Sequence, residues 1–298
     1  MNAKWFFIAN ATAGRGRTGR KISTLIQSLN EHKFEFEIEL TKAPLHATQL
    51  AKEAIGKGYE KIVVVGGDGT MNETVNGIMQ TGKQANIKLG LLPEGGGNDF
   101  ARNFKLTDNI DKALEILKKL KTQTVDVGKI EDFYFINALG LGFDAQVARI
   151  SRDIKYLNGL PRYLVAIMKA LIKLKKFQAE FTLDNGKLDQ PFLLFSIGNG
   201  LSTGGGFLLT PEARVDDGLL DICLIKNVTR RRILSLLPHA IKGQHLKQPE
   251  VIIHQSRKIR VKTEQILPIY FDGELPTLKN PHDFTIEIIP QQIELITG

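Results

Sequence analysis

Three glycine-rich loops contain the residues whose types and spacing could bind phosphate. They occupy residues 10–14, 66–70 and 93–102, and each follows a strand-like apolar run. Glycine lets backbone N–H groups turn inward, and the helix that follows directs its positive end to the same place. A single loop of this kind is also typical of a simple turn. Three of them at one sheet edge favour a phosphate-binding site.

Two aspartates in these loops, Asp68 and Asp99, indicate a metal ion. A carboxylate beside phosphate is repulsive unless a cation lies between them, and Mg²⁺ takes one or two carboxylates together with phosphate oxygens and waters. Both aspartates could instead cap helices. That alternative is stronger for Asp99, which follows Asn98 at a helix start, than for Asp68, which has a glycine on each side. The loops lack the Gly-Lys-Ser/Thr ending of a Walker motif, and neither acidic loop has the full dinucleotide-binding spacing.

The elements that position these loops alternate between strand and helix over residues 4–130. This alternation predicts βαβ units in a parallel sheet with flanking helices, which binds ligands at the carboxyl ends of its strands. From about residue 125 the runs become short and are separated by turns, one of them the hairpin signal Asp184-Asn185-Gly186. This pattern of short strands and turns predicts a β-sandwich-like domain with helical insertions near 144–156, 160–176 and 229–241. We therefore predict domains at 1–130 and 131–298, divided near 125–135, with the C-terminus able to return to the first domain.

Composition limits the class of protein. The chain has 298 residues, with 42% hydrophobic and 24% charged residues, as expected for a soluble two-domain protein. A single cysteine, Cys223, excludes a disulfide framework and suits the cytoplasm. We expect no signal peptide and no segment of the ~20 apolar residues that span a bilayer. The net charge of +8 favours anionic partners, but no stacking platform or recognition motif accompanies it, so we expect no nucleic acid.

Five segments together resemble one family of enzymes. The stretches "GGDGTMNETVNG" and "PEGGGNDFAR", followed by "FINALGLGFDAQV", "TGGGFLLTPEARVDDGLLDI" and "YFDGE", resemble the bacterial soluble diacylglycerol kinases, a family of lipid kinases. The Gly-Gly-Asp-Gly-Thr motif also occurs in NAD kinases and, in related form, in phosphofructokinases, whose fold the first domain should share. The Asn-Asp-Phe-Ala-Arg block and the late Asp-Gly-Glu distinguish this chain from NAD kinases and phosphofructokinases. One departure is Gly96, where the family usually has a threonine that touches the nucleotide; backbone contacts could survive there.

The resemblance implies transfer of the γ-phosphoryl of ATP to a lipid hydroxyl, by default that of diacylglycerol, which gives phosphatidic acid. It implies that Asp68 and Asp99 hold the catalytic Mg²⁺ and that Glu274 is the general base, with Asp68 as an alternative base. Gly96 belongs to the implied nucleotide site. The other implied ATP contacts, in a cleft between the domains, are Asn10, Ala11, Thr12, Ala13, Gly14, Thr41, Gly67, Asp68, Gly69, Thr70, Met71, Asn72 and Glu73.

A second acidic cluster lies downstream in "EARVDDGLLD". The resemblance implies a structural Mg²⁺ held by Asp217 and the backbone carbonyls of Arg214 and Leu219, with Asp216 as the alternative carboxylate. On sequence alone, an Asp-Gly turn explains the cluster at least as well.

Two basic, apolar segments could bring the enzyme to its lipid. Residues 160–176 place Lys169, Lys173 and Lys176 along one helical face, and arginines 230–232 precede an apolar stretch. Such helices are typical of membrane surfaces, although helices packed on the sheet explain them equally. We expect peripheral contact with the cytoplasmic face of a membrane, and a homodimer could form through an exposed sandwich edge. Kinases of other hydroxylated lipids, an NAD kinase and an ATP sensor without turnover remain the alternatives.

Overall fold

The computed structural model of the protein describes residues 4–298; residues 1–3, with which the predicted first domain begins, lie outside the described residues. The chain forms two units. The first unit is made of two segments, the chain up to Asp126 and Gln291–Gly298. The second unit is Val127–Pro290. The prediction placed the division at 130 and allowed the C-terminus to return.

The first unit is a parallel α/β layer structure. Its strands lie in the order β14 (Asp283–Ile296), β4 (Lys88–Pro93), β3 (Lys61–Gly66), β1 (Trp5–Ala9) and β2 (Phe36–Leu40), and each of these neighbours pairs in parallel. Strand β3 is buried on both faces, as a parallel strand covered by helices must be, which explains its uninterrupted valines. The elements are β1 (Trp5–Ala9), α1 (Ala13–Glu31), β2 (Phe36–Leu40), α2 (His46–Gly56), β3 (Lys61–Gly66), α3 (Asp68–Thr81), β4 (Lys88–Pro93), α4 (Asp99–Arg102), α5 (Ile110–Lys119) and β5 (Thr122–Ile130), with short 3₁₀ turns elsewhere.

The second unit is built on antiparallel pairs, in the order β11, β10, β9, β8, β12, β14, with β7 pairing both β9 and β13. The Asp184-Asn185 turn joins β8 to β9 through the pair Leu183 and Gly186, which confirms the hairpin signal. The elements are β6 (Phe133–Phe135), β7 (Ala138–Gly142), α6 (Phe143–Asp153), α7 (Gly159–Ile172), β8 (Phe177–Leu183), β9 (Gly186–Gly198), β10 (Leu220–Lys226), α8 (Arg230–Ile241), β11 (Val251–Ser256), β12 (Lys258–Lys262), β13 (Ile269–Phe271) and β14 (Asp283–Ile296).

The three helical insertions occur where they were expected, with one correction. Helix α7 ends at Ile172, so Lys176 lies beyond the helical face to which the sequence assigned it. The chain must leave the helix there because Phe177 begins β8 and is buried in the core.

The final strand returns to the first unit. The N–H of Gln291 donates to the buried carboxylate of Asp126 at 2.7 Å, and β14 then pairs with β4 at Glu294 and Leu295. The fold is thus an α/β unit with a β-sandwich-like unit inserted before its last strand.

Candidate functional site

The first glycine loop is connected to the second through Asn10. The Asn10 side-chain amide donates to Thr70 Oγ1 at 3.0 Å, while its carbonyl oxygen accepts from the N–H and hydroxyl of Thr12. The Asn10 N–H donates to Val65 O in β3. Asn10 therefore orders both loops at the carboxyl ends of neighbouring strands.

The first loop continues through three residues in the left-handed region. Gly14, Arg15 and Gly16 have φ angles of 57°, 63° and 77°. A Cβ on Gly14 would lie 2.5 Å from Glu94 O, so glycine is required there by space as well as by φ. Arg15 carries a Cβ, so its positive φ is strained, and residues with strained backbones concentrate at ligand sites. The exposed guanidinium of Arg15 lies in the loop where phosphate was predicted.

The second and third loops are joined by Asp68. Its Oδ1 accepts from the N–H of Phe100 at 3.0 Å, across 32 residues of sequence. Burial raises the pKa of the Asp68 carboxyl, and the backbone N–H groups of Phe100 and Asp99 partly oppose that rise. The loops also touch through glycine, since a Cβ on Gly67 would lie 2.9 Å from Gly95 Cα. Asp68 and Asp99 are thereby brought to one place.

These two acids suit a Mg²⁺ ion that shares its ligands with a phosphate. Asp99 is 6% exposed, and its Oδ1 lies 3.7 Å from Arg102 Nε. Asn98, before it, makes no side-chain cap of α4. Within residues 4–298 no group of three or more His, Cys, Asp or Glu side chains is placed to hold a metal by itself. One or two carboxylates with waters and substrate oxygens is the donor set that Mg²⁺ accepts.

The third loop has Gly96 at the position where the resemblance implies a threonine. Gly96 is exposed at its tip, and the carbonyls on either side are held by arginines: Arg17 donates to Gly95 O and Arg102 to Gly97 O. Glu94, which opens the loop, is buried and forms ion pairs with Arg17 at 3.0 Å and with Lys21 at 2.7 Å. Arginine and lysine side chains therefore hold the loop backbone in place. Gly96 itself has no side-chain hydroxyl to offer a nucleotide.

Other residues of the implied nucleotide site have structural contacts. Glu73 Oε2 accepts from the N–H of Ala47 at 3.1 Å and so caps α2. Met71 is fully buried, and Asn72 is nearly so. The N–H of Thr41 donates to Ala9 O just beyond β2. Capping of one helix by a residue of another is a contact that local spacing does not reveal.

In the second unit, Glu274 ends a tight turn after β13. Phe271 and Glu274 form an antiparallel bridge, and Asp272 and Gly273 between them have φ angles of 46° and 89°. Asp272 is buried, and its carboxylate accepts from the N–H groups of Ile136 and Ala138 at 2.6 Å and 2.8 Å. The turn that presents Glu274 is therefore anchored by its neighbouring acid.

Arg152 on α6 contacts the same turn. It donates to Glu274 Oε2 at 2.9 Å and also to Gly273 O. Sequence reasoning missed both Arg152 and Asp272. Asp272 stood in the quoted "YFDGE" segment, but Asp-Gly suggests only a turn; nothing local marked Arg152.

The second acidic cluster adopts a turn. The N–H of Leu219 donates to Asp217 Oδ1 at 3.0 Å, and Asp216 lies 3.6 Å from Arg214 in an ion pair. Nearby, Asp221 is 4% exposed, and burial raises its pKa to about 6, helped by the negative charges of Asp217 and Glu212. A cation bound beside Asp217 would offset this negative charge.

Comparison with known proteins assigns this arrangement to a class of enzymes. The diacylglycerol kinase catalytic domain matches residues 4–130, and the YegS C-terminal NAD kinase beta sandwich-like domain matches residues 137–297. The chain belongs to the diacylglycerol kinase family of lipid kinases. This confirms both the resemblance and the predicted fold class.

Individual relatives cover most of the chain. A diacylglycerol kinase of Staphylococcus carnosus (strain TM300) is 30% identical over 275 residues, 92% of this chain and 89% of that protein. A protein of Chromohalobacter salexigens named "Probable lipid kinase YegS-like" is 33% identical over 227 residues, 76% of this chain and 73% of its own. The crystal structure of a diacylglycerol kinase from Bacillus anthracis str. Sterne shares the fold, with a TM-score of 0.75 at 23% identity over 99% of this chain and 97% of that one. Among residues 4–298, no helix is both long and apolar enough to cross a bilayer.

Proposed function

We propose that the protein is an ATP- and Mg²⁺-dependent kinase that transfers the γ-phosphoryl group to the hydroxyl of diacylglycerol, giving phosphatidic acid. The observation that carries this proposal is the joining of the glycine loops through Asp68 and the N–H of Phe100. It places two acids beside loops rich in backbone donors, the combination that a metal-bound triphosphate requires. The relatives named diacylglycerol kinase support the choice of substrate.

The loops of the first unit would bind the phosphates through backbone N–H groups, with Arg15 adding positive charge. Asp68 and Asp99 would hold Mg²⁺, which neutralises the charge that develops on the transferred group. Phosphoryl transfer depends mainly on alignment and charge neutralisation. A binding site ordered before the substrate arrives supplies both.

Glu274 would accept the proton of the lipid hydroxyl. The Asp272 anchor holds its backbone, and Arg152 orients its carboxylate. A base acts well only when it is held within hydrogen-bond reach of the proton. We assign Arg152 and Asp272 as positioning residues.

The lipid would be reached from an anionic membrane surface through α7 and α8. Met168 and Ile172 on α7 are 53% and 75% exposed, and Leu234 on α8 is 40% exposed. Arg230 connects the two helices by donating to Leu171 O at 2.6 Å. Lysines surround the α7 positions, and each basic residue near an anionic surface contributes about 1 kcal/mol. Apolar side chains framed by cations suit peripheral docking at the cytoplasmic face.

The decisive experiment is transfer of label from [γ-³²P]ATP to mixed micelles of diacylglycerol, other hydroxylated lipids or NAD. Labelled phosphatidate from wild type, and none from Asp68→Asn, is the expected result. Label in another lipid alone would keep the chemistry and change the substrate, and label in NAD would indicate an NAD kinase. ATP binding without label would indicate a sensor, the candidate that the missing hydroxyl at Gly96 favours.

A further inference from the structure

Two arginines lie on the exposed side of α6, beside the Glu274 turn. Arg149 and Arg152 are three positions apart in the helix, so their side chains are neighbours on one face. Among residues 4–298 the only ion pair of Arg152 is with Glu274, and Arg149 has none, although Asp153 follows it by one turn. Arg149 therefore offers a guanidinium group whose charge no carboxylate neutralises directly.

The Glu274 turn runs along the part of α6 that carries these arginines. Leu275, the residue after Glu274, packs against Ala145 and Ala148 of the helix. One turn further on, Arg152 reaches Glu274 itself. The two arginines and the carboxylate thus share one surface of the second unit.

The Arg152 side chain is directed at the turn and has donors to spare. An arginine in the last turn of a helix commonly binds the terminal carbonyls of that helix. Arg152 instead uses Nη2 to donate to Gly273 O and, at 2.9 Å, to Glu274 Oε2. Its side chain is 45% exposed, and its Nη1 and Nε make no hydrogen bond within residues 4–298. These nitrogens remain for an anion that approaches from solvent.

The Glu274 carboxylate is held at one of its two oxygens. Oε2 accepts from Arg152, whereas Oε1 has no hydrogen-bond partner in the described part of the chain. Under the proposed function, Oε1 takes the proton of the lipid hydroxyl while that oxygen attacks the γ-phosphorus of ATP and the bond from this phosphorus to ADP breaks. The products beside Arg152 are a neutral Glu274 and a phosphomonoester with a charge of about −2.

This change of charge alters the preferred partner of Arg152. Before transfer its partner is an ionised carboxylate, and afterwards that group is neutral while a phosphate lies one carboxyl group away. A guanidinium group binds phosphate through two parallel N–H donors, more strongly than it binds a neutral acceptor. The neighbouring Arg149 adds a second cation at the same place.

We propose that Arg152 and Arg149 form a binding site for the phosphate of a phosphomonoester lipid, and that Arg152 exchanges Glu274 for this phosphate once the carboxyl is protonated. The identification of that lipid as the kinase product rests on the proposed function, but the binding itself does not. The site favours a doubly charged monoester over a singly charged phosphodiester. A product held here competes with the next lipid for Glu274, so the kinase is inhibited by its product.

The test is calorimetric binding of monomeric dihexanoyl phosphatidate, of its methyl phosphodiester and of inorganic phosphate, with chelator and without ATP. We expect wild type to bind the monoester about tenfold more tightly than either of the other two, a difference of ~1.4 kcal/mol. Arg152→Gln and Arg149→Gln should each weaken monoester binding about tenfold. Arg257→Gln, at an exposed position of the same unit, is the matched control and should bind as wild type does.

Glu274→Gln supplies a second readout because its amide imitates the protonated base. It should strengthen monoester binding about tenfold, since a neutral amide holds Arg152 less firmly than a carboxylate does. A turn that is merely damaged would weaken binding instead. In the double variant with Arg152→Gln the gain should be absent, which assigns it to the arginine. Thermal unfolding confirms that each variant is folded.

Four results would overturn the proposal. They are no monoester binding by folded wild type, equal binding of monoester and diester, binding of inorganic phosphate as tight as that of the lipid, and wild-type affinity in Arg152→Gln. Loss of binding in Arg15→Gln would accompany the last of these if the phosphate occupied the loops of the first unit. Label transfer from ATP is measured separately, so a failure of the kinase assignment would leave the binding result intact, and the reverse holds.

Discussion

Asp68 Oδ1 accepts a hydrogen bond from the N–H of Phe100 at 3.0 Å, and this bond joins the second glycine loop to the third. The same carboxyl is the proposed metal ligand. It therefore has two roles that mutation can separate, because asparagine keeps the acceptor oxygen and loses the charge.

Asp68→Asn is expected to leave the melting temperature within a few degrees and to abolish transfer of label to lipid. Asp68→Ala should also lower stability by about 1 kcal/mol, since the Phe100 N–H loses its partner. Thermal unfolding and the label-transfer assay measure the two effects. Full activity of Asp68→Asn would show that the Asp68 carboxylate is not a metal ligand.

Glu274→Gln should keep ATP affinity and lower turnover by a factor of about 100 or more, the usual contribution of a positioned base. Glu264→Gln, at an exposed position of the same unit, is the matched control and should behave as wild type. ATP binding by calorimetry and turnover with diacylglycerol are the measurements. Weaker ATP binding would instead make Glu274 a nucleotide contact.

Asp272→Ala should destabilise the protein by about 3 kcal/mol because the N–H groups of Ile136 and Ala138 would be left buried without a partner. Denaturant unfolding measures this. Asp272→Asn should cost less, because one acceptor oxygen remains. If both variants have wild-type stability, the anchor role is wrong.

Mg²⁺ is expected to raise the melting temperature of the wild type through the acidic cluster at Asp217. The shift should become smaller in Asp217→Ala and persist in full in Asp216→Ala, whose carboxylate pairs with Arg214. Unfolding scans with Mg²⁺ and with a chelator provide the comparison. An unchanged Mg²⁺ response in Asp217→Ala would contradict the metal site.

Asp221 makes stability depend on pH. Its pKa of about 6 in the folded protein exceeds the ordinary 3.8, mainly because of burial, so the folded state holds the proton more tightly. Stability from this group therefore falls as pH rises from about 4 through 6, and the penalty is complete above about 7. Asp221→Asn should remove this penalty, raising stability at pH 7.5 by about 3 kcal/mol and changing stability at pH 4 by less than ~1 kcal/mol. Asp108→Asn, at an exposed site, is the control in chelator-containing buffer; equal effects at both pH values would contradict the shift.

The sequence by itself determined the features that depend on neighbouring residues. The glycine loops after strands, the alternation of strand and helix, and the Asp184-Asn185 hairpin follow from local backbone preferences and periodic burial. The family membership follows from ordered segments in one chain. These signals also placed both acids of the first unit in adjacent loops.

Only the tertiary structure decided which groups meet. The bonds from Asp68 to Phe100, from Asp272 to residues 136–138 and from Arg152 to Glu274 span 32 to 136 residues of sequence. Asp144 Oδ2 has no hydrogen-bond partner among residues 4–298, and Asp144 lies at the wall of a cavity to which α7, α8 and β9 also contribute. Hydrogen bonding and burial are properties of proximity in space, and chain packing, which no local pattern encodes, sets that proximity.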